Sequence, residues 1–317
     1  MTSFAMIEAA AARMAGHIRQ TPLLHAPLLD RLAGRRVLVK AEALQITGSF
    51  KARGGWSAVS ALPPGTGVLA MSSGNHAQGV AWAAAAHGIK AVILMPSDAP
   101  AVKIANTKAY GAEVVLYDRA TEDRDAIAAR LAAERGLALI PPFDHPQVIA
   151  GQGTVGLELA KQTASFGLGP TDVLVPCGGG GLAAGIALAV AQKAPHLRVR
   201  TVEPMGFDDA ARSLASGTWQ RNPSTIGTIC DAITTPSPGQ LTLPILLEHA
   251  GPGLTVSDAQ ALQAVAEAFT HLRLVAEPGG AVALAAALFT PGLGDTVICV
   301  VSGGNIDPAL FTQSLQV

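Results

Sequence analysis

Cysteine is scarce in this chain of 317 residues: Cys177, Cys230 and Cys299 are the only three, and no two have C-x-x-C spacing. An odd number at such distances excludes a disulfide framework or a thiolate zinc site as the organising device. Cys299 lies in the apolar run 297–301 and reads as core, and Cys177, beside a run of glycines, reads as buried before reactive. Charge is also sparse, at 14% of residues with a net charge of −1. That leaves no broad basic field for nucleic acid or anionic lipid. Mean hydropathy is positive, +0.36, yet no uninterrupted apolar stretch reaches the roughly 18 residues of a membrane span. The N-terminus has no basic flank leading into an apolar core, so no secretory signal is expected. The expectation is a soluble cytoplasmic protein with a small-molecule partner, without nucleic acid or membrane.

What the sequence does have is alternation. Short apolar runs at 37–41, 68–71, 91–95, 113–116, 173–176, 198–202 and 296–301 are separated by longer alanine-rich stretches, among them 79–87, 101–110, 122–134 and 149–164. This is the pattern of βα units around parallel sheets. Pro141-Pro142 is the clearest break in mid-chain. It suggests a small mobile domain over 61–145 and a larger domain formed by 1–60 and 146–317. The segment 218–245, rich in Pro, Thr, Ser and Gly, reads mainly as a long loop, and such loops in enzymes often touch substrate or metal.

Three separated stretches carry chemistry. Lys51 follows Ser49 and Phe50 at an expected helix start, with Gly48-Ser49 as its N-cap. An amine there, if it sheds its proton, can condense with an aldehyde. Asn75 lies in Ser72-Ser73-Gly74-Asn75-His76, just past the strand 68–71. Open α/β sheets bind ligands at such strand ends, and the Asn75 amide can donate to a ring hydroxyl. Gly178-Gly179-Gly180-Gly181 follows the strand 173–176 and opens a helix over 182–192, so its N–H groups can cradle a phosphate. Alone, each has a plainer reading: a solvated lysine, a capping asparagine, a tight turn. The glycines with Ala183 even fit a dinucleotide fingerprint, with Glu203 as a ribose-binding acid. That reading leaves Lys51 and Asn75 without a role, whereas pyridoxal 5'-phosphate (PLP) uses all three. A fourth stretch, Ser302-Gly303-Gly304-Asn305, follows the strand 296–301. A serine hydroxyl there, facing the cofactor's ring nitrogen, favours β-elimination over transamination.

With these residues in view, the chain resembles the serine/threonine dehydratase family of PLP enzymes. The resemblance rests on Gly48-Ser49-Phe50-Lys51-Ala52-Arg53-Gly54, on the 72–79 stretch, on Ile149-Ala150-Gly151-Gln152-Gly153-Thr154, on the glycine run, on Val202-Glu203-Pro204 and on Ser302–Asn305. It covers nearly the whole chain, in order. It implies an α/β fold of type II (tryptophan synthase β-like), with two domains, each containing a parallel sheet, and the cofactor between them. It further implies that Lys51 binds the cofactor and removes the α-proton, that Phe50 packs on the ring, that Asn75 and Ser302 contact it, and that Gly178–Gly181 hold the phosphate. Ser72, Ser73, Gly74 and Asn75 would receive the substrate carboxylate. The implied reaction is dehydration and deamination of L-threonine or L-serine, with a 3-hydroxyaspartate as another substrate, by a homodimer. No regulatory C-terminal domain is expected.

Two details of that resemblance leave alternatives open. Serine at position 73 is shared with serine-racemase-like members, where a hydroxyl opposite Lys51 moves a proton at Cα. Glu203, the Phe207 carbonyl and Asp209 stand where those members bind a divalent cation, Mg2+ or Ca2+; the alternative is a solvated acidic turn. Asp231-Ala232 departs from the family's usual Asp-Gly, and His76 is expected to support its loop rather than act as a base. A protein that binds amino acids without catalysis would need an unreactive Lys51.

Overall fold

The computed structural model describes residues 2–99 and 101–316. Among these residues ten strands form two sheets. They are β1 (Leu23–Leu24), β2 (Arg36–Ala41), β3 (Val68–Met71), β4 (Ala91–Pro96), β5 (Glu113–Tyr117), β6 (Ala138–Leu139), β7 (Thr171–Pro176), β8 (Leu197–Pro204), β9 (Leu254–Val256) and β10 (Thr296–Val301). The larger sheet has the order β1-β2-β10-β7-β8-β9 and the smaller β5-β4-β3-β6. Every pairing is parallel except β1 with β2. Strands buried on both faces need no polar alternation, and β10 is apolar from Val297 to Val301, all fully buried.

The smaller sheet lies wholly within 68–139 and the larger takes its strands from both sides of that segment. Because β10 sits between β2 and β7, the loops after Ala41, Val301 and Pro176 leave the sheet side by side. The alanine-rich helix Pro278–Phe289 is buried along most of its length. No helix among the described residues is long and apolar enough to cross a membrane.

Most expected elements appear with ends shifted by a few residues, and three expectations need correction. The helix read from residue 79 begins at Asn75 and runs to Ala86. The N-cap of the helix Lys51–Val59 is Phe50, in helical conformation and without a side-chain cap bond. Ser49 does not cap it: its backbone bridges Gly303, and its buried hydroxyl has no hydrogen-bond partner among the described residues. The segment read as loop contains a short 3-10 turn, Asp231–Ile233, and the start of the helix Thr242–His249.

Candidate active site

The lysine helix (Lys51–Val59) and the asparagine helix (Asn75–Ala86) cross at glycines. A Cβ on Gly55 would meet the Gly79 carbonyl at 2.6 Å, and one on Gly79 the Lys51 carbonyl at 2.7 Å. Only backbone-to-backbone packing brings Lys51 and Asn75 to the same place. Arg53, two residues past Lys51, is 1% exposed and anchors the helix. It donates to both oxygens of buried Glu42, each at 2.8 Å, and to Glu158 at 2.7 Å. Lys40 completes the cluster on Glu158 at 2.5 Å.

Lys51 points into a cavity of about 210 Å3. Its Nζ donates to the Pro142 carbonyl at 2.6 Å and lies 5.2 Å from the centre of the Phe50 ring. Burial lowers its pKa to about 8, against the pull of Glu277. The same cavity is lined by Phe50, Ser72, Ser73, Gly74, Asn75 and Ser302, and by all four glycines 178–181. Thus every residue assigned above to cofactor or substrate lines one cavity.

The glycine run is built as a cradle. Gly180 has φ 89°, the left-handed conformation that suits glycine, and it caps the helix Gly181–Lys193. A Cβ on Gly179 would overlap the Phe143 ring. The Gly179 carbonyl accepts from the Thr242 hydroxyl at 2.6 Å and from the Gly239 N–H at 3.1 Å. The N–H groups of Gly179 and Gly180 meet no acceptor among the described residues. Unpaired N–H groups at a helix start suit a phosphate.

Asn75 is tied on two sides: its Nδ2 donates to Glu277 Oε1 at 2.5 Å, and its Oδ1 accepts from Asn305 at 2.7 Å. The Ser302 carbonyl accepts from the Phe50 N–H at 3.0 Å, and Gly304 donates to the Gly48 carbonyl at 2.8 Å. The lysine motif and the terminal glycine motif are therefore laced together through backbone. His76 is buried and bonded through Nε2 to the Ile140 carbonyl at 2.8 Å. Burial, then the nearby Lys51, takes its pKa down to about 3. It is neutral and supports the loop, as expected. Trp56 faces away from the cavity, donating to the Arg13 carbonyl at 3.0 Å and stacking on His17. Cys177 is buried, with its pKa pushed up by burial and by Glu203 and Asp209.

Sequence reasoning missed several members of the site. Glu277 lines the cavity, and burial raises its pKa to about 7. Lys103, Phe143 and Pro142 line it too. Lys103, Phe143 and Pro142 belong to no glycine-rich motif. The only signal was Glu277-Pro278-Gly279-Gly280, a turn signature ahead of an alanine-rich helix.

Glu203 and Asp209 come together outside this cavity. Glu203, at the end of β8, accepts from the N–H groups of Ala210 and Ala211 at 2.9 and 2.7 Å. It is therefore turned onto a helix start and is not poised for a ribose. Asp209 accepts from Asn222 through Oδ1, and its buried Oδ2 has no partner among the described residues. Burial raises both carboxyls, Glu203 further through Asp209 and Asp209 to about 6. Phe207 closes the turn with its N–H on the Pro204 carbonyl at 3.0 Å. Among the described residues no three His, Cys, Asp or Glu side chains cluster as metal ligands, so a cation here would rely on two carboxylates, a carbonyl and water.

Comparison with known proteins agrees with this geometry. The chain is 42% identical over 322 aligned positions to an L-threo-3-hydroxyaspartate ammonia-lyase of a Pseudomonas species, covering 100% of this chain and 99% of the relative. A solved threonine deaminase from T.th. superposes with a TM-score of 0.91 at 49% identity, covering 96% of this chain and 99% of that one. Maize serine racemase superposes at 0.92 with 35% identity, covering 99% and 97%. These neighbours share the type II architecture. Residues 14–303 match the family described as pyridoxal-phosphate dependent enzyme, a span that holds both the lysine and the glycine cradle, and the chain belongs to that family.

Proposed function

We propose that this enzyme eliminates water from a β-hydroxy-α-amino acid, giving a 2-oxo acid and ammonia. The observation that carries the reading is Lys51: a half-buried lysine, its pKa lowered to about 8 by desolvation, in one cavity with the glycine cradle. The fit to PLP is supported by the unpaired N–H groups of Gly179 and Gly180 and by the room that absent Cβ atoms leave there. Gly178–Gly181 would hold the phosphate, Phe50 would flank the ring, and Asn75 and Ser302 would face its hydroxyl and nitrogen. When bound, the cofactor supplies an electron sink for negative charge at the substrate's Cα. Lys51 takes the α-proton, and Ser72, Ser73, Gly74 and Asn75 receive the carboxylate through hydroxyl and backbone donors. The supporting relatives are an ammonia-lyase and a deaminase.

A serine racemase is the second reading, favoured by the Ser73 hydroxyl in the cavity and by the likeness to maize serine racemase. Proton NMR of L-serine and L-threonine with enzyme, PLP and Mg2+ in D2O separates the two. Accumulating 2-oxo acid with little label in the residual amino acid supports the lyase. Surviving amino acid deuterated at Cα supports the racemase.

We also infer a cation, Mg2+ or Ca2+, on Glu203, the Phe207 carbonyl and Asp209. The unpartnered Asp209 Oδ2 supports it, and oxygen ligands suit either ion. A rise in melting temperature with either chloride, lost in Asp209→Asn, is the expected result. The segment 61–145 is taken as the mobile domain and the assembly as a cytoplasmic homodimer; light scattering tests the latter.

A further inference from the structure

Among the described residues one side-chain ammonium besides Lys51 lines the cavity: Lys103, on the helix Ala101–Ala109 that follows β4. Lys51 is committed to the cofactor and to the α-proton, and the Ser72–Asn75 loop to the α-carboxylate. Lys103 has no role in eliminating water from serine or threonine. Its ammonium is 3.5 Å from the carboxylate of Asp231, which also lines the cavity. Lys103 is 22% exposed, whereas Asp231 is 72% exposed. An ion pair with one partner so far in water is weak, so another carboxylate can displace Asp231. Lys103 also stands close enough to the buried Glu277 to pull on its titration, as does Lys51. Both cations therefore bear on the same end of the cavity.

We propose that Lys103 receives the side-chain carboxylate of a dicarboxylic substrate, and that the preferred substrate is a 3-hydroxyaspartate rather than serine or threonine. The proposal rests on the β-elimination reading above and names the substrate class for the same site. Asp231 is the resting partner of Lys103, exchanged for the substrate's second carboxylate on binding. Elimination then proceeds as for serine: the Cα–H bond breaks to Lys51, the Cβ–O bond breaks, and hydroxide leaves as water after taking a proton. The oxaloacetate skeleton and ammonia follow on hydrolysis.

The test compares kcat/KM for L-threo-3-hydroxyaspartate and L-serine in the wild-type holoenzyme and in Lys103→Met, Lys103→Arg and Asp231→Asn. Lys103→Met is expected to lower the hydroxyaspartate-to-serine ratio by roughly 10- to 100-fold, the worth of a hydrogen bond between charged groups, mainly through KM. Lys103→Arg should restore most of the ratio, and Asp231→Asn should lower KM for hydroxyaspartate. A Lys103→Met enzyme that loses both substrates in equal proportion overturns the proposal, as does a wild type that prefers serine. A second readout needs no turnover: the cofactor's visible absorbance is titrated with L-aspartate and with L-alanine, neither of which has a β-hydroxyl. Selective loss of L-aspartate affinity in Lys103→Met supports the proposal even if no substrate is eliminated, an outcome that would sink the elimination reading alone. Equal loss for both ligands overturns it.

Discussion

The side-chain amide of Asn305 donates to Asn75 Oδ1 at 2.7 Å, and to the Thr47 carbonyl at 2.9 Å. A single side chain, four positions past the last strand, thereby fixes two motifs that lie far from it in sequence. Asn305→Ala removes both bonds and leaves a half-buried amide oxygen on Asn75 to find another donor. The expected cost is about 1–3 kcal/mol of stability, read from urea unfolding of the apo-protein. Affinity for PLP should fall with it, because Asn75, proposed to face the cofactor ring, loses a bond that holds its side chain. Unchanged PLP affinity would mean that Glu277 alone positions Asn75.

The crossing at Gly55 and Gly79 sets how close Lys51 and Asn75 can come. In Gly55→Ala the new methyl meets the Gly79 carbonyl at 2.6 Å, and the neighbour is backbone that cannot swing aside. Overpacking of this kind costs about 1–3 kcal/mol, and the two helices must part. Lower melting temperature and weaker PLP binding are expected together. Gly169→Ala, where an added Cβ meets nothing within 4 Å, should change neither.

The expected strands 68–71 and 296–301 coincide with β3 and β10, because each is a continuous apolar run bounded by polar or glycine residues. The two-residue strands β1 and β6 carry no such signal: Ala138–Leu139 joins its sheet because β3 lies beside it. The helix Thr242–His249 was hidden by Pro244, which sits in the first turn, where proline is tolerated. Within the site, residues in glycine motifs were legible, since backbone chemistry leaves a local mark. Glu277, Lys103 and Phe143 were not. Their function depends on which walls face each other across the cavity, and no local pattern records that.

Arg53 shows how the lysine helix is held against its own surroundings. Burial opposes its charge, yet Glu42 and Glu158 keep it protonated, with its pKa above the usual value. Arg53→Met keeps most of the volume and strands Glu42, which is fully buried. Breaking one side of a buried pair costs roughly 3–5 kcal/mol. A double variant, Arg53→Met with Glu42→Gln, should recover part of that loss. If the double variant is no more stable than the single, the damage is to packing and not to charge.

Lys51 leaves a pH signature on the apo-protein. Its folded pKa, about 8, lies below the usual 10.5, so between those values the unfolded chain holds a proton that the native state has released. Stability contributed by this group therefore rises with pH across that window, and below about pH 8 the buried ammonium is a constant burden. Lys51→Met removes the burden. The stability advantage of Lys51→Met over wild type, from urea unfolding without cofactor, should be largest below pH 8 and shrink as pH climbs toward 10.5. Glu277 supplies the opposite slope at lower pH. Its pKa of about 7 exceeds the usual 4.5, so the native state keeps a proton that the unfolded chain has lost, and stability falls as pH rises between them. Glu277→Gln should therefore gain on wild type from pH 4.5 to 7 and hold that gain above. A Lys51→Met advantage that is flat in pH would mean the native amine titrates as it does in water. Lys51 would then be a poor nucleophile near neutrality, and recombination of apo-protein with PLP would speed up only toward pH 10.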